Sequence, residues 1–211
     1  MDLAHETSVL LSLNDLSCVP KVYGQVVGGS RPGLVMSAVP GTTLEKFLEK
    51  WTTDSCFHRC VTRVDFLHIC LQVVRAIKSL HCSNILHNDL KTDNLMVQIL
   101  SQNHHMFRVF VIDFGNATQV GQYNAYHIDP DDVREGRVTW LAPEVRRGEP
   151  TSISSDIYSV GVVLRDVQHS TGLYDDLDNL VEGCTREEPV CRTPLGEAEK
   201  RLLLRYKSLR G

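Results

Sequence analysis

The sequence has no surplus of basic residues: 22 Lys and Arg stand against 26 Asp and Glu, a formal net charge of -4. That argues against a nucleic-acid partner, because a protein that neutralises a phosphate backbone presents a basic face. The balance favours no acidic substrate either. No apolar run approaches the roughly 18 to 20 residues that a membrane span requires. The opening MDLAHETSVLLSLNDL lacks the basic stretch ahead of an apolar core that marks a secretory leader, so the chain reads as cytoplasmic. Internal repeats, low-complexity tracts and interdomain linkers are also missing, which points to a single domain over residues 1–211, long enough to bury a core. The seven cysteines (Cys18, Cys56, Cys60, Cys70, Cys82, Cys184 and Cys191) are odd in number and scattered, which favours reduced thiols, mostly small core residues, over a disulfide framework. Cys56, His58 and Cys60, with His81 and Cys82 further on, lack a second close-spaced cysteine pair, so packing accounts for them better than zinc.

What is present is a sequence of changing periods. Residues 4–14 place Val9, Leu10 and Leu13 on one helical face. Two β-rich stretches, 19–27 and 33–39, follow, joined by GGSRPG as a hairpin loop and broken by Pro40 and Gly41. Thr42 or Thr43 can cap a helix through LEKFLEKW. A longer core helix is predicted from Arg63 to Cys82, where Phe66, Cys70, Val73, Ile77 and Leu80 recur at helical spacing. A second hairpin is predicted from 95–100 and 107–113 around a polar loop whose His104 and His105 read as solvated; helices return near 154–168, 177–185 and 195–206.

The second hairpin has a chemical consequence. If 95–100 pairs antiparallel with 107–112, the residue before the first strand lies beside the residue after the second, so Asn94 is expected to meet Asp113. An amide oxygen and a carboxylate with room for phosphate and water suit Mg²⁺, which seldom accepts an all-protein cage. Asp89, on the same loop, is placed to orient or deprotonate a hydroxyl attacking a phosphoryl group, and Lys91 to neutralise the charge that develops there. Taken singly, such an Asp is a turn former and such a Lys a solvated charge; the set is harder to dismiss.

HNDLKTDN (87–94) resembles the catalytic loop of the eukaryotic protein kinases, and Asp113, Phe114 and Gly115 resemble their metal-binding triplet. Ala142-Pro143-Glu144, Asp156 in SDIYSVGVVL and Arg192 in CTREEPVCRTP continue the resemblance at family-like spacing. It implies an α+β kinase-like fold, with residues 40–211 a mainly helical C-terminal lobe and residues 1–39 a remnant of the β-rich N-terminal lobe. It also implies ATP and Mg²⁺ as cofactors and a protein substrate with a hydroxyl acceptor. By the same resemblance Asp113 and Asn94 would hold the metal, Glu6 would be the helix glutamate of the nucleotide site, and Leu10 would stack with Phe114 and His87. Met36 would be the gatekeeper, Ser37 to Val39 the hinge against adenine, Met96 would lie under the base, and Arg192 would pair with Glu144. Leu10 and Met36 are core residues on any reading, and Glu6 also suits the N-terminal end of a helix.

Departures from the family pattern qualify these expectations. Only residues 1–5 precede Glu6, so the glycine-rich loop and the strand lysine that grip ATP have no counterpart, and Lys21 lies in a different strand. Impaired ATP binding and turnover are therefore expected, as are an exposed β-edge, an apolar face and instability or aggregation. Asn88 stands where an arginine usually reads activation-loop phosphorylation, although Thr118, Tyr123, Tyr126 and Thr139 could still be modified. Lys91 resembles the Ser/Thr kinases, Val138 and Trp140 resemble tyrosine kinases, and Arg137 fits neither; Ser/Thr is the preferred reading. The stretch 168–178 is too short for both a loop and the usual substrate-docking helix. Two alternatives stay open: a pseudokinase serving as a binding module, and a small-molecule phosphotransferase of the aminoglycoside or choline kinase type, against which the Ala142-Pro143-Glu144, Asp156 and Arg192 matches weigh.

Overall fold

The computed structural model describes residues 3–26, 33–101, 106–122 and 128–210. In chain order the helices are α1 (Leu3–Ser12), α2 (Leu44–Thr53), α3 (Arg63–Cys82), α4 (Pro130–Arg134), α5 (Pro143–Arg146), α6 (Ile153–Thr171), α7 (Tyr174–Cys184) and α8 (Leu195–Arg210). The strands are β1 (Val22–Val26), β2 (Gly33–Met36), β3 (Thr42–Thr43), β4 (Ile85–Leu86), β5 (Leu95–Ser101), β6 (Met106–Val111) and β7 (Thr118–Gln119).

Helix α3 runs over the span its periodicity predicts and is the centre of the core. Phe66, Cys70, Val73, Ile77 and Leu80 are all buried. Its start is fixed by a capping box in which Thr62 and Asp65 exchange backbone and side-chain hydrogen bonds. Its flank is tied to β6 by Gln72, whose Nε2 donates to the Phe107 carbonyl at 2.9 Å while its Oε1 accepts from the Val109 N–H at 3.1 Å. Phe47 of α2 sits edge-on to Phe57, Phe66 and Phe107, with centroid distances of 5.0, 5.7 and 6.2 Å, so one ring joins α2, α3 and β6. Thr43 caps α2 through a hydrogen bond from the Lys46 N–H at 3.3 Å.

Strands β5 and β6 form the predicted second hairpin and acquire β3 as a third strand. Gly41, just before β3, has φ +109, and a Cβ there would lie 2.2 Å from the Val97 carbonyl oxygen; only glycine lets this connection press onto β5. β4 and β7 pair as a separate two-residue ladder. Strands β1 and β2 form the first hairpin, in register Val22 with Met36. The loop assigned to GGSRPG falls largely on residues outside the described set, as do His104 and His105.

The first hairpin is a two-stranded ribbon tied to α1 by Gln25, whose Nε2 donates to Thr7 Oγ1 at 2.6 Å, with Tyr23 70% and Met36 37% exposed and Val26 and Val35 also open. The expected exposed apolar surface is therefore present, but Met36 is not the core residue expected, because its side chain lines an open cleft with Glu6 and Leu10 of α1. All seven thiols are free, and only Cys70 and Cys184 are buried, which corrects the expectation that most of them are core residues. Burial pushes those two thiols up, to about 12 and about 11, which makes them unreactive packing groups. His58 is occupied by Trp51, whose ring it stacks on at 3.9 Å and whose carbonyl its Nε2 meets at 2.7 Å.

Helix α6 starts from a Ser152–Ser155 capping box and stops at Gly172, which is left-handed at φ 72. Only Gly172 and Leu173 separate it from α7, so the short 168–178 stretch joins two helices directly. Among the described residues no helix is long and apolar enough to cross a membrane.

Candidate active site

The loop from His87 to Asn94 is suspended from α6. The Asp156 carboxylate accepts the backbone N–H of His87 on Oδ2 and that of Asn88 on Oδ1, each at 2.9 Å. His81 Nε2, at the end of α3, meets Oδ2 at 2.9 Å. Burial pushes the Asp156 carboxyl up, but the bonds from His81 and His87 outweigh it and hold the group below the usual carboxylate range. A folded-state value below the unfolded one means that Asp156 contributes stability above about pH 4, the ordinary aspartate range, which is lost as the pH falls through the lowered value. Asp156→Asn should cost roughly 2 to 3 kcal/mol at neutral pH, since one of the two backbone donors then faces an amide N–H. Urea unfolding from about pH 6 to about pH 2.5 should show the gap between wild type and variant closing only at the acid end; a gap independent of pH would count against the assignment.

Asn88 and Asp113 are left-handed, at φ 66 and φ 63, and bracket the site from two segments. Asn88 Nδ2 donates to the Asn116 carbonyl at 2.8 Å and to Thr118 Oγ1 at 2.9 Å, so the position where an arginine was expected ties the loop to the segment after Asp113. Thr118 is therefore buried against Asn88, and the expectation that it is open to modification is corrected. Thr139 is exposed, whereas Tyr123 and Tyr126 lie outside the described residues.

Asp89, Lys91 and Asn94 converge as expected. Asp89 Oδ2 takes Lys91 Nζ at 3.1 Å and Asn94 Nδ2 at 3.2 Å, and Asn94 Nδ2 also donates to the Asp89 carbonyl at 2.8 Å. With its NH₂ group committed inward, Asn94 has its amide oxygen left for an outside partner. Asp89 Oδ1 accepts the indole N–H of Trp140 at 2.8 Å, and Lys91 Nζ lies over that indole, 4.6 Å from the ring centroid. Trp140 was legible only as a marker of acceptor preference, and no local pattern foretold its contact across 51 residues of chain. Arg137 is turned away, paired with Asp132 at 2.7 Å and with Glu135.

The Asn94–Asp113 geometry needs one correction. Leu95 pairs with Val111, which puts Asn94 opposite Ile112, and the Ile112 N–H donates to the Asn94 carbonyl at 3.0 Å. Asp113 comes one residue later, because the ladder ends at Val111 and the chain turns left-handed at Asp113.

Glu6 and Leu10 of α1, Met36 of β2, Ser37, Val39, Met96 of β5, Asp113 and Phe114 line a single cleft of about 420 Å³, within the usual range for small-molecule sites. Every residue that sequence reasoning assigned to a nucleotide is thus in one place. Ser37 is fixed by its N–H to the Lys21 carbonyl at 2.8 Å and by the Lys21 N–H to its Oγ at 2.9 Å. The Val39 N–H and carbonyl have no hydrogen-bond partner among the described residues. Behind the cleft, Leu10 and Phe114 belong to the core, and the His87 ring meets Phe114 edge-on at 5.2 Å. The described lining carries the Glu6 and Asp113 carboxylates and no Lys or Arg.

Below the site, Glu144 and Arg192 form the expected pair: Nη1 to Oε1 at 2.6 Å and Nη2 to Oε2 at 2.7 Å, with both side chains buried. The guanidinium also donates to the carbonyls of Ser154, Arg186 and Glu187. This fastens the Ala142-Pro143-Glu144 turn to α6.

Residues 1–195 match the family described as Protein kinase domain. The chain is 33% identical over 131 residues to serine/threonine-protein kinase PrkC of Bacillus subtilis, covering 62% of this chain and 18% of the relative. It is 31% identical over 140 residues to the probable serine/threonine-protein kinase PknB of Corynebacterium glutamicum, covering 66% and 20%. To the Raf homolog serine/threonine-protein kinase of Caenorhabditis elegans it is 29% identical over 144 residues, covering 63% and 17%. The chain therefore spans a fifth or less of the length of these curated relatives.

Proposed function

This chain belongs to the protein kinase domain family, matched over residues 1–195, and from that premise we propose that it transfers the γ-phosphoryl group of ATP to a protein hydroxyl, Ser or Thr in preference to Tyr. The observation that carries the reading is the gathering of Glu6, Met36, Ser37, Val39, Met96 and Asp113 around one cleft. That cleft joins the Asp89 loop through the backbone bond from Ile112 to Asn94. The Val39 N–H and carbonyl, unpartnered among the described residues, offer a donor and an acceptor to the edge of a base, with Met96 on the lining beside them.

In the transfer, the substrate hydroxyl oxygen forms a bond to the γ-phosphorus while the bond from that phosphorus to the β,γ-bridging oxygen breaks. ADP leaves, and the hydroxyl proton passes to the Asp89 carboxylate. Lys91, held against Asp89, offsets the charge gathering on the transferred oxygens. Asn94 and Asp113 would supply the hard oxygen donors that suit Mg²⁺, and the two carboxylates of the cleft favour a cation there, since they would repel a bare triphosphate. Mg²⁺, when bound, neutralises phosphate charge. The Ser/Thr preference rests on Lys91 and on the names of the relatives.

One observation favours a second reading, a nucleotide-binding interaction module without transfer: no Lys or Arg lines the described cleft to hold the phosphates. Incubation with Mg²⁺ and ATP labelled on the γ-phosphate, with casein as acceptor and phosphoamino acid analysis of the product, separates the two. Labelled serine and threonine, absent with Asp113→Asn, are expected. Labelled tyrosine alone would overturn the acceptor preference, and no label at saturating ATP would leave only the binding module.

A further inference from the structure

Trp140 is joined to Asp89 and Lys91, the two side chains assigned above to the proton and the charge of the proposed transfer. Its indole N–H is 2.8 Å from Asp89 Oδ1, and its ring lies under Lys91 Nζ at 4.6 Å, while Lys91 Nζ is 3.1 Å from Asp89 Oδ2. The indole thus closes a three-membered contact in which the carboxylate, the ammonium and the ring restrain one another. The residue is itself braced: its backbone carbonyl accepts Ser159 Oγ of α6 at 2.7 Å. Its ring packs against the small apolar cluster of Ala142, Val145, Tyr158 and Val162. Neighbouring Arg137 is occupied by Asp132 and Glu135 and supplies nothing to Asp89.

A carboxylate oxygen has about two lone-pair directions. Among the described residues Oδ2 is filled by Lys91 and Asn94, whereas Oδ1 holds only the Trp140 N–H and keeps one direction open. An indole N–H donates and cannot accept, so it fixes Oδ1 without competing for a proton. We propose that Trp140 is a positioning residue: through its N–H it selects Asp89 Oδ1 as the oxygen that receives the substrate proton, and through its ring it holds Lys91 over the same acceptor seat. Its role rests on the transfer reading above, but its hydrogen bond is measurable without any transfer.

The chain has two tryptophans, Trp51 and Trp140, so a ¹⁵N-labelled sample gives two indole signals that a Trp51→Phe variant assigns. Asp89→Asn should move the Trp140 indole signal and speed its exchange with solvent, leaving Trp51 in place. Lys91→Met, which keeps the carboxylate, should move the same signal and gives a second reading should Asp89→Asn fail to fold. In the labelled-phosphate assay Trp140→Phe keeps the ring and loses the N–H. It should lower kcat on the order of tenfold, the effect of one hydrogen bond to a charged group, with the KM for casein within about twofold; Trp140→Ala should lower kcat further. A Trp140 signal indifferent to both Asp89→Asn and Lys91→Met would overturn the proposal, as would an unchanged kcat in Trp140→Phe. A coupled indole signal in a chain that transfers nothing would refute the transfer reading and the positioning role built on it, while leaving the Trp140–Asp89 bond established.

Discussion

Asp89→Asn is expected to lower phosphoryl transfer by a factor on the order of 10³, the range typical of a lost general base. The carboxylate is the acceptor for three donors, Trp140, Lys91 and Asn94, and the proposed acceptor of the substrate proton. An amide at this position keeps one oxygen and turns an NH₂ group toward a donor. It cannot take up a proton in the required range, and it also loosens Lys91. The local cost in stability is on the order of 1 to 3 kcal/mol, so rates are to be referred to the folded fraction at each temperature. Transfer within about threefold of wild type, once so corrected, would remove Asp89 from the chemistry.

The largest effect on stability is expected from Arg192→Leu, at about 3 to 5 kcal/mol. The guanidinium and the Glu144 carboxylate are bonded twice and shielded from water, with side-chain exposures of 0% and 4%. Removing the cation leaves the carboxylate in a low-dielectric interior and strips the carbonyls of Ser154, Arg186 and Glu187 of their donor. The Tyr158 ring, 5.1 Å from the guanidinium carbon, loses its cation as well. A typical domain has about 5 to 15 kcal/mol in total, so the variant should unfold at a much lower urea concentration, if it accumulates at all. Arg192→Leu combined with Glu144→Leu should recover part of the loss, because the unpaired buried charge is then gone. Equal midpoints for single and double variants would mean that the pair contributes no such penalty.

The parts of the fold carried by long periodic segments could be read from the chain alone. The Arg63–Cys82 helix and the second hairpin showed in the apolar spacing, and the cleft residues in the ordered motifs. What escaped was set by contacts between distant segments. The two-residue strands Thr42–Thr43, Ile85–Leu86 and Thr118–Gln119 are shorter than any hydrophobic period and exist only as ladders with remote partners. His81 meets Asp156 across 75 residues and Trp140 meets Asp89 across 51, distances over which no spacing rule operates. The exposure of Met36 and the burial of Thr118 depend on what a short strand faces, an open cleft in one case and Asn88 in the other, and composition does not decide that. The one-residue offset between Asn94 and Asp113 has a local cause: strand ends are poorly marked, and a left-handed turn at a non-glycine residue leaves little trace in a sequence.

The central claim is that the cleft joining Glu6, the 37–39 segment and Asp113 receives ATP together with Mg²⁺. The most direct measurement is the melting temperature of the full chain with ATP, with and without Mg²⁺, beside the Asp113→Asn variant, since a ligand that binds the native state raises it by mass action. The account predicts a rise with Mg²⁺ and ATP together at millimolar concentration, none with ATP in EDTA, and none with Asp113→Asn. The same rise in EDTA, or in Asp113→Asn, or no rise under any condition, would contradict it.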